Sequence, residues 1–399
     1  MKFIKKISCL IFTLFLFSFC FLNLSINPSA MIITAGIVPD DPLIENQWGL
    51  EAIRAYEGWK YNHDAPNIRV AIIDTGINYY HEDLRDNFNF SLSKTFTDDI
   101  NDEPYFAPSD HGTLIAGIIG GRGNNNKGIS GICWNVEMVS LKDSINSNGK
   151  ENAKAAAAIN YANQICANII NISHGLSEYS IEVYNAIKNF NGLVICSAGN
   201  DGLDNDKNNH YPSNYNLDNI IVVGAMTENH HLAIDSNYGK TTVDIFAPGK
   251  GYSTMRDNNG YGYPLNSYKT SFAAPYVTGA AALLMAYHPD YSPTMIKNTI
   301  LERAKKMNEF KDKCVSGGYL DLADMFHIHN YVYEYINKKQ HHRYCSNCED
   351  SFYEDHNWTR VMEYPMQSIP KSFDPNVRMI YECVGCGTRS YGPILGDII

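Results

Sequence analysis

The chain has 399 residues, a formal charge of −11 at pH 7 and 44% hydrophobic residues. That length allows more than one domain and supplies ample apolar side chains for a core. The acidic balance and the lack of a basic patch exclude a nucleic-acid partner, and there is no nucleotide fingerprint or internal repeat.

Residues 1–30 read as a targeting segment. Lys2, Lys5 and Lys6 precede an apolar run over 7–24, and Ser29-Ala30 offers a small-residue cleavage position. The run is close to the ~18 residues that span a membrane. Two outcomes are therefore open, a cleaved signal peptide or an uncleaved signal-anchor, and both export the chain. Phe19 before Cys20 is too large for a lipoprotein cleavage site. Residues 31–46 form a short leader, too short for a prodomain with a core of its own.

From there apolar strands alternate with helices. Ile68-Arg69-Val70-Ala71-Ile72-Ile73-Asp74-Thr75-Gly76 is rich in β-branched residues, as expected of a strand buried on both faces. It delivers the Asp74 carboxylate at its carboxyl end. Asp110-His111-Gly112-Thr113 then opens a helix of small and aliphatic residues. Strands are expected at 138–142, 168–173, 193–197 and 220–223, with helices at 152–166 and 181–190. The alternation predicts an α/β fold, a doubly wound, mostly parallel sheet with ligands at the carboxyl ends of its strands. Asp74, Ser173 and Asn200 fall at such ends. Further on, Lys269-Thr270-Ser271-Phe272-Ala273-Ala274-Pro275 opens a helix of Ala, Gly, Leu and Val, apolar all round and so buried. Pro275 is expected in its first turn, and Ser271 at its positive N-terminal end. Each polar residue alone reads as a cap or a turn. An Asp, a His and a Ser in these three settings together supply an orienter, a base and a nucleophile.

On Val70-Ala71-Ile72-Ile73-Asp74-Thr75-Gly76, His111-Gly112-Thr113-Leu114-Ile115-Ala116-Gly117 and Thr270-Ser271-Phe272-Ala273-Ala274-Pro275, the chain resembles the subtilisin (subtilase) family of serine peptidases. Ile195-Cys196-Ser197-Ala198-Gly199-Asn200 and Ile170-Asn171-Ile172-Ser173-His174-Gly175 extend the match, which covers about 48–326. The resemblance implies a serine endopeptidase with Ser271 as nucleophile, His111 as base, Asp74 as orienter and Asn200 as oxyanion donor; with the targeting segment, a secreted monomer is expected, although the short leader departs from the prodomain that secreted members carry. It also implies that Ser173, His174 and Gly175 pair with a protein or peptide substrate. Ser197 and Gly199 would wall the S1 pocket, with His210 at its floor. His174 and His210 can equally be solvated loop residues. His174 stands where many members carry an aliphatic residue, and Lys269 replaces the family's Gly. That lysine would narrow the S1 or leaving-group side, add a cation near bound substrate, or mark lost activity. A processing protease for one exported peptide, or a weakened scaffold that only binds, are the alternatives. His81-Glu82-Asp83-Leu84 and Gly123-Asn124-Asn125-Asn126-Lys127-Gly128-Ile129 resemble parts of the family's Ca²⁺ site, with Asp83 and Asn125 as side-chain ligands; plain turn chemistry is the other reading of that loop.

The peptidase domain is expected over 47–326, a linking helix over 327–343, and a Cys-rich domain over 344–399. There, Cys345-Ser346-Asn347-Cys348 and Cys383-Val384-Gly385-Cys386 are paired knuckles that fit a structural Zn²⁺ ribbon. Their spacer exceeds the usual ~15–20 residues. His356 can replace one ligand, and in an oxidising compartment the same cysteines can form disulfides. Cys133, Cys166, Cys196 and Cys314 have no motif spacing and read as buried, inert thiols.

Overall fold

The β-branched run ending in Asp74 forms strand β1 (Asp64–Asp74), which lies inside the main sheet rather than at its edge. The computed structural model describes residues 36–98, 101–105, 109–143, 151–176, 178–263 and 267–326. Beyond them it describes 331–337, 339–345, 351–355, 358–363, 379–383 and 389–392, many as backbone only. The other strands of the sheet are β2 (Lys94–Thr95), β3 (Asn135–Lys142), β4 (Ile169–Ile172), β5 (Leu193–Ser197), β6 (Ile220–Met226) and β7 (Ile245–Pro248). After the small hairpin β8 (Ser253–Thr254) and β9 (Tyr261–Gly262), the edge is completed by β10 (Lys305–Lys306) and β11 (Gly318–Tyr319). The order is β10-β11-β7-β6-β5-β4-β1-β3-β2, parallel throughout except between β10 and β11. Strands β4 to β7 are buried at every position, as strands covered on both faces must be.

The helices are α1 (Trp48–Ala52), α2 (Ala55–Gly58), α3 (His111–Gly120), α4 (Glu151–Gln164), α5 (Ile181–Lys188), α6 (Thr270–Tyr287), α7 (Pro293–Glu302) and α8 (Leu322–Phe326). Helix α6 is buried from Thr270 to Leu284 and lies against β1, β4, β5, β6, β7 and α3. Its apolar circumference is explained by that position. Chain order changes direction at β1, which has β3 on one side and β4 on the other. A crevice is expected at the carboxyl ends there.

Three expectations need correction. Pro275 is the sixth residue of α6, not part of its first turn. Its missing N–H deprives the Ser271 carbonyl of the usual bond from the residue four on. Residues 36–46 are tied to the fold: Ile37 N–H donates to the Tyr56 carbonyl, Leu43 N–H to that of Gly128, and the Asp41 side chain is buried. Cys166 is exposed, in the turn after α4 at φ 56°, because the helix ends before it. The linking helix is absent from 331–345, which forms antiparallel strands β12 (Tyr331–Tyr335) and β13 (Gln340–Cys345) with β14 (Ser351–Asp355). Tyr331-Val332-Tyr333-Glu334-Tyr335 is rich in aromatic and β-branched residues that favour a pleated strand. A second three-stranded sheet holds β15 (Trp358–Glu363), β16 (Met379–Cys383) and β17 (Arg389–Gly392). The targeting segment 1–30, His356, Cys348 and Cys386 lie outside the described residues, as do the side chains of Cys345 and Cys383. No helix among the described residues is long and apolar enough to cross a membrane.

Candidate active site

Asp74 closes β1 and is 1% exposed. Its carboxylate faces His111, the first residue of α3, with Nδ1 at 2.9 Å from Oδ1 and 3.0 Å from Oδ2. The backbone N–H of Thr75 donates to Oδ1 at 2.7 Å, and the Thr75 hydroxyl does so at 3.1 Å. Helix α3 can start this close because residue 112 is glycine. A Cβ there would lie 2.4 Å from the Gly76 carbonyl oxygen and 3.1 Å from Asp74 Oδ1.

Burial opposes charge on Asp74, but His111, His174 and the Thr75 N–H together hold its carboxyl below the ordinary carboxylate value. Burial likewise disfavours the His111 cation, and the Asp74 charge outweighs it, so His111 binds a proton more tightly than a free imidazole. The pair is an oriented base: Asp74 fixes the proton on Nδ1 and leaves Nε2 for chemistry.

Ser271 is the second residue of α6 and is nearly buried. The ring of Phe272, next along the helix, stands 5.5 Å from that of His111, so the start of α6 abuts the imidazole. Ser271 Oγ and His111 make no hydrogen bond in this structure; such contacts are often loose without substrate and tighten on binding. Beside this helix start, Asn200 Oδ1 accepts the Thr270 N–H at 2.8 Å and the Thr270 hydroxyl at 3.1 Å. With the oxygen so held, the amide –NH₂ is the free end of Asn200. Gly199 supports the turn at φ 108°, and a Cβ there would lie 2.4 Å from Asn237 Nδ2.

A carboxylate–imidazole pair at the switch point of the sheet, with a serine in the first turn of a helix and an oriented amide, is a hydrolase constellation. The subtilase family model matches residues 65–319. The chain belongs to the subtilase family. It is 33% identical over 251 residues to the major intracellular serine protease of Bacillus subtilis, covering 61% of this chain and 76% of that one. It is 30% identical over 274 residues to subtilisin DY of Bacillus licheniformis, covering 66% and 92%. With subtilisin-like protease 2 of Plasmodium falciparum it shares 31% over 271 residues, 62% of this chain but 19% of that far longer protein. Among solved structures, a protease from Pseudoalteromonas arctica superposes with a TM-score of 0.61 at 25% identity, covering 72% of this chain and 98% of that one.

Within this subtilase, the segment expected to pair with substrate follows β4. Ser173 Oγ accepts from Asn171 Nδ2 at 2.9 Å, and Asn171 Oδ1 in turn accepts the Thr278 hydroxyl of α6. His174 is not a solvated loop residue, since its side chain is buried against Asp143. His210 is wedged between the segments named for the S1 pocket: a Cβ on Gly175 would lie 2.7 Å from its Nε2, and one on Gly199 2.8 Å from its Cδ2. Burial lowers its proton affinity, and Ser213 Oγ lies 2.9 Å from Nδ1. Ser197 is buried at the end of β5.

Lys269 has φ −134° and ψ 143°, an extended conformation open to any residue, so no special dihedral calls for glycine. Its ammonium pairs with Asp235 at 2.9 Å.

The calcium candidates Asp83 and Asn125 do meet, with Asn125 Nδ2 donating to Asp83 Oδ1 at 2.9 Å and the Ile129 N–H donating to Oδ2. Asp41 joins them by accepting the N–H groups of Asn124 and Asn125. Burial, then the charges of Asp83 and Asp40, raises the Asp41 carboxyl to about 6 against the pull of those N–H groups. Asn125 Oδ1 accepts the Lys127 N–H at 2.8 Å, which sets the amide nitrogen towards Asp83, so the oxygen donors that suit a hard cation here are the two buried carboxylates in mutual repulsion. Among the described residues no three His, Cys, Asp or Glu side chains cluster as a metal site. Asp143, Asp41 and the Thr270 clamp escaped the sequence reading. Only the β1–β3 register, which sets Asp74 opposite Lys142, would have placed Asp143 beside the site.

Proposed function

We propose that the protein is a secreted serine endopeptidase that cleaves protein or peptide substrates through Ser271, His111, Asp74 and Asn200. The observation that carries this reading is the double contact of Asp74 with His111 Nδ1, beside a helix whose second residue is Ser271. Ser271 Oγ attacks the scissile carbonyl as His111 Nε2 takes its proton, and the imidazolium is stabilised by Asp74. The Asn200 –NH₂ and the Ser271 backbone N–H receive the oxyanion, helped by the positive end of α6. His111 then gives its proton to the leaving amine. Water repeats the sequence on the acyl-enzyme and releases Ser271. The substrate chain adds as a strand along Ser173, His174 and Gly175, with its side chain against Ser197, Gly199 and His210.

Casein hydrolysis that disappears in Ser271→Ala, with fluorophosphonate labelling of Ser271 in the parent, is the expected result. Lys269 in place of the family's glycine is what leaves a second reading, a scaffold that binds without cutting. Unlabelled folded protein selects it.

Two structural ions complete the proposal. Ca²⁺ sits at Asp83, Asn125 and Asp41, and Zn²⁺ at Cys345, Cys348, Cys383 and Cys386, the latter supported by their paired spacing. Metal analysis of the purified full chain reads both, and a thiol count separates zinc from disulfides.

A further inference from the structure

The carboxyl ends of β3, β1 and β4 lie side by side, with Asp74 opposite Lys142 on one flank and Ile73 opposite Ile172 on the other. Asp143 is the first residue after β3 and His174 the second after β4. These two flank strands are linked across the end of β1, because His174 Nε2 lies 3.1 Å from Asp143 Oδ2. Asp143 is also tied to β1 itself, its N–H donating to the Asp74 carbonyl at 3.1 Å. The side chains are 10% and 5% exposed.

This pair is a poor device for stability. His174 Nδ1 and Asp143 Oδ1 are buried without a hydrogen-bond partner. Leaving a buried polar atom unpaired costs about 1–3 kcal/mol, and a buried ion pair with imperfect partners is often no better than apolar residues of the same size. What the pair does have is position, since the only strand end between its members carries the Asp74 carboxylate.

We infer that His174 and Asp143 form a second imidazole–carboxylate pair, laid behind the first, which positions Asp74 and keeps a fixed cation beneath the His111–Asp74 couple. The inference rests on the reading of His111 as the base; neither residue of the second pair touches the reacting atoms. Burial opposes a charge on His174, but Asp143 and then Asp74 raise its imidazole to about 9, so it is cationic through the neutral range. The charged groups acting on His111 are Asp74, from β1, which strengthens its hold on a proton, and His174, from beyond β4, which weakens it. Those acting on His174 are Asp143, from β3, and Asp74. Phe272, from α6, faces His111 with an uncharged ring. The sign follows: His174⁺ lets His111 deprotonate at lower pH and so extends the active range on the acid side.

Removing the cation reverses this. His174→Gln deletes it, and Asp143→Asn strips it of the carboxylate that keeps it charged. Each variant is expected to move the acid limb of kcat/KM upward by about 0.5–1 pH unit, as loss of one nearby partly screened charge does. The loss is then roughly 3–10-fold below the limb and shrinks as pH rises. A merely structural pair would lower kcat/KM evenly across pH. Two NMR titrations of the full-length Ser271→Ala protein need no turnover. In one, His174 stays protonated past pH 8. In the other, adding His174→Gln raises the His111 midpoint by the same interval. A neutral His174 at pH 7 overturns the inference even if no variant folds, and so does an unmoved His111 midpoint. Absence of hydrolysis with a shifted midpoint would instead remove the peptidase reading and leave the pair standing.

Discussion

Thr270 gives both its N–H and its hydroxyl to Asn200 Oδ1, so the orientation of that amide is built into the start of α6 rather than found on binding. A donor fixed beforehand needs no reorganisation as charge develops, which is why one side chain can matter so much. Asn200→Ala should lower kcat with little change in KM. The expected loss is about 2.7–4 kcal/mol of transition-state stabilisation, a value measured on subtilisin itself rather than obtained from this geometry. Stopped assays at saturating and limiting peptide separate the two constants; equal kcat in mutant and parent removes Asn200 from the oxyanion site. The sequence carried Asn200 as a residue type in a family motif, but not its clamp. Thr270 stands one position before Ser271 and reads as an ordinary helix-start residue, and only the approach of the β5 loop to α6 gives it a partner. His174 shows the opposite case. Its place just after a buried strand was legible, but its burial against Asp143 depends on two strand ends that are distant in sequence.

At the scale of elements, the active site is a matter of how closely α3 and α6 can approach the end of β1. Gly112 sets the first distance: its missing Cβ is what lets the opening turn of α3 lie on the Gly76 carbonyl and hold His111 against Asp74. Gly112→Ala must push backbone against backbone. Overpacking of this kind costs about 1–3 kcal/mol, and a shift of His111 by even 1 Å can cost on the order of 10²-fold in rate. Denaturant titration and kcat/KM of the purified variant should therefore fall together. Full activity with unchanged stability would show that α3 has room to spare. The elements of the sheet were legible because continuous Ile and Val runs leave few alternatives to buried parallel strands. Pro275 was placed one turn too early because the helix starts at Thr270, before its apolar stretch. The segment 331–345 forms a hairpin rather than the expected helix because the strand propensity of its aromatic and β-branched residues prevails.

For the molecule as a whole, the informative region is where three distant segments close on one another: the N-terminal arm at Asp41, the turn after β1 at Asp83, and the loop after α3 at Asn125 and Ile129. Hydrogen bonds join all three, and Leu43 N–H on the Gly128 carbonyl pins the arm down. What holds the lobe together also strains it. Asp41 and Asp83 are both buried, and burial raises both carboxyls above their ordinary value. A bound Ca²⁺ would turn that mutual repulsion into attraction, and because the unfolded chain has no such lobe, binding adds directly to stability. At a free ion concentration 100-fold above Kd the gain is about 2.7 kcal/mol. With roughly 2–4 °C of Tm per kcal/mol in a body this large, the full chain in millimolar calcium should melt roughly 5–10 °C above the same protein in EDTA. Asp83→Asn removes one of the two charges and should abolish most of that gap while lowering Tm in calcium. A parent with the same Tm in both buffers, or a variant that keeps the whole gap, would mean that the arm is held by its hydrogen bonds alone.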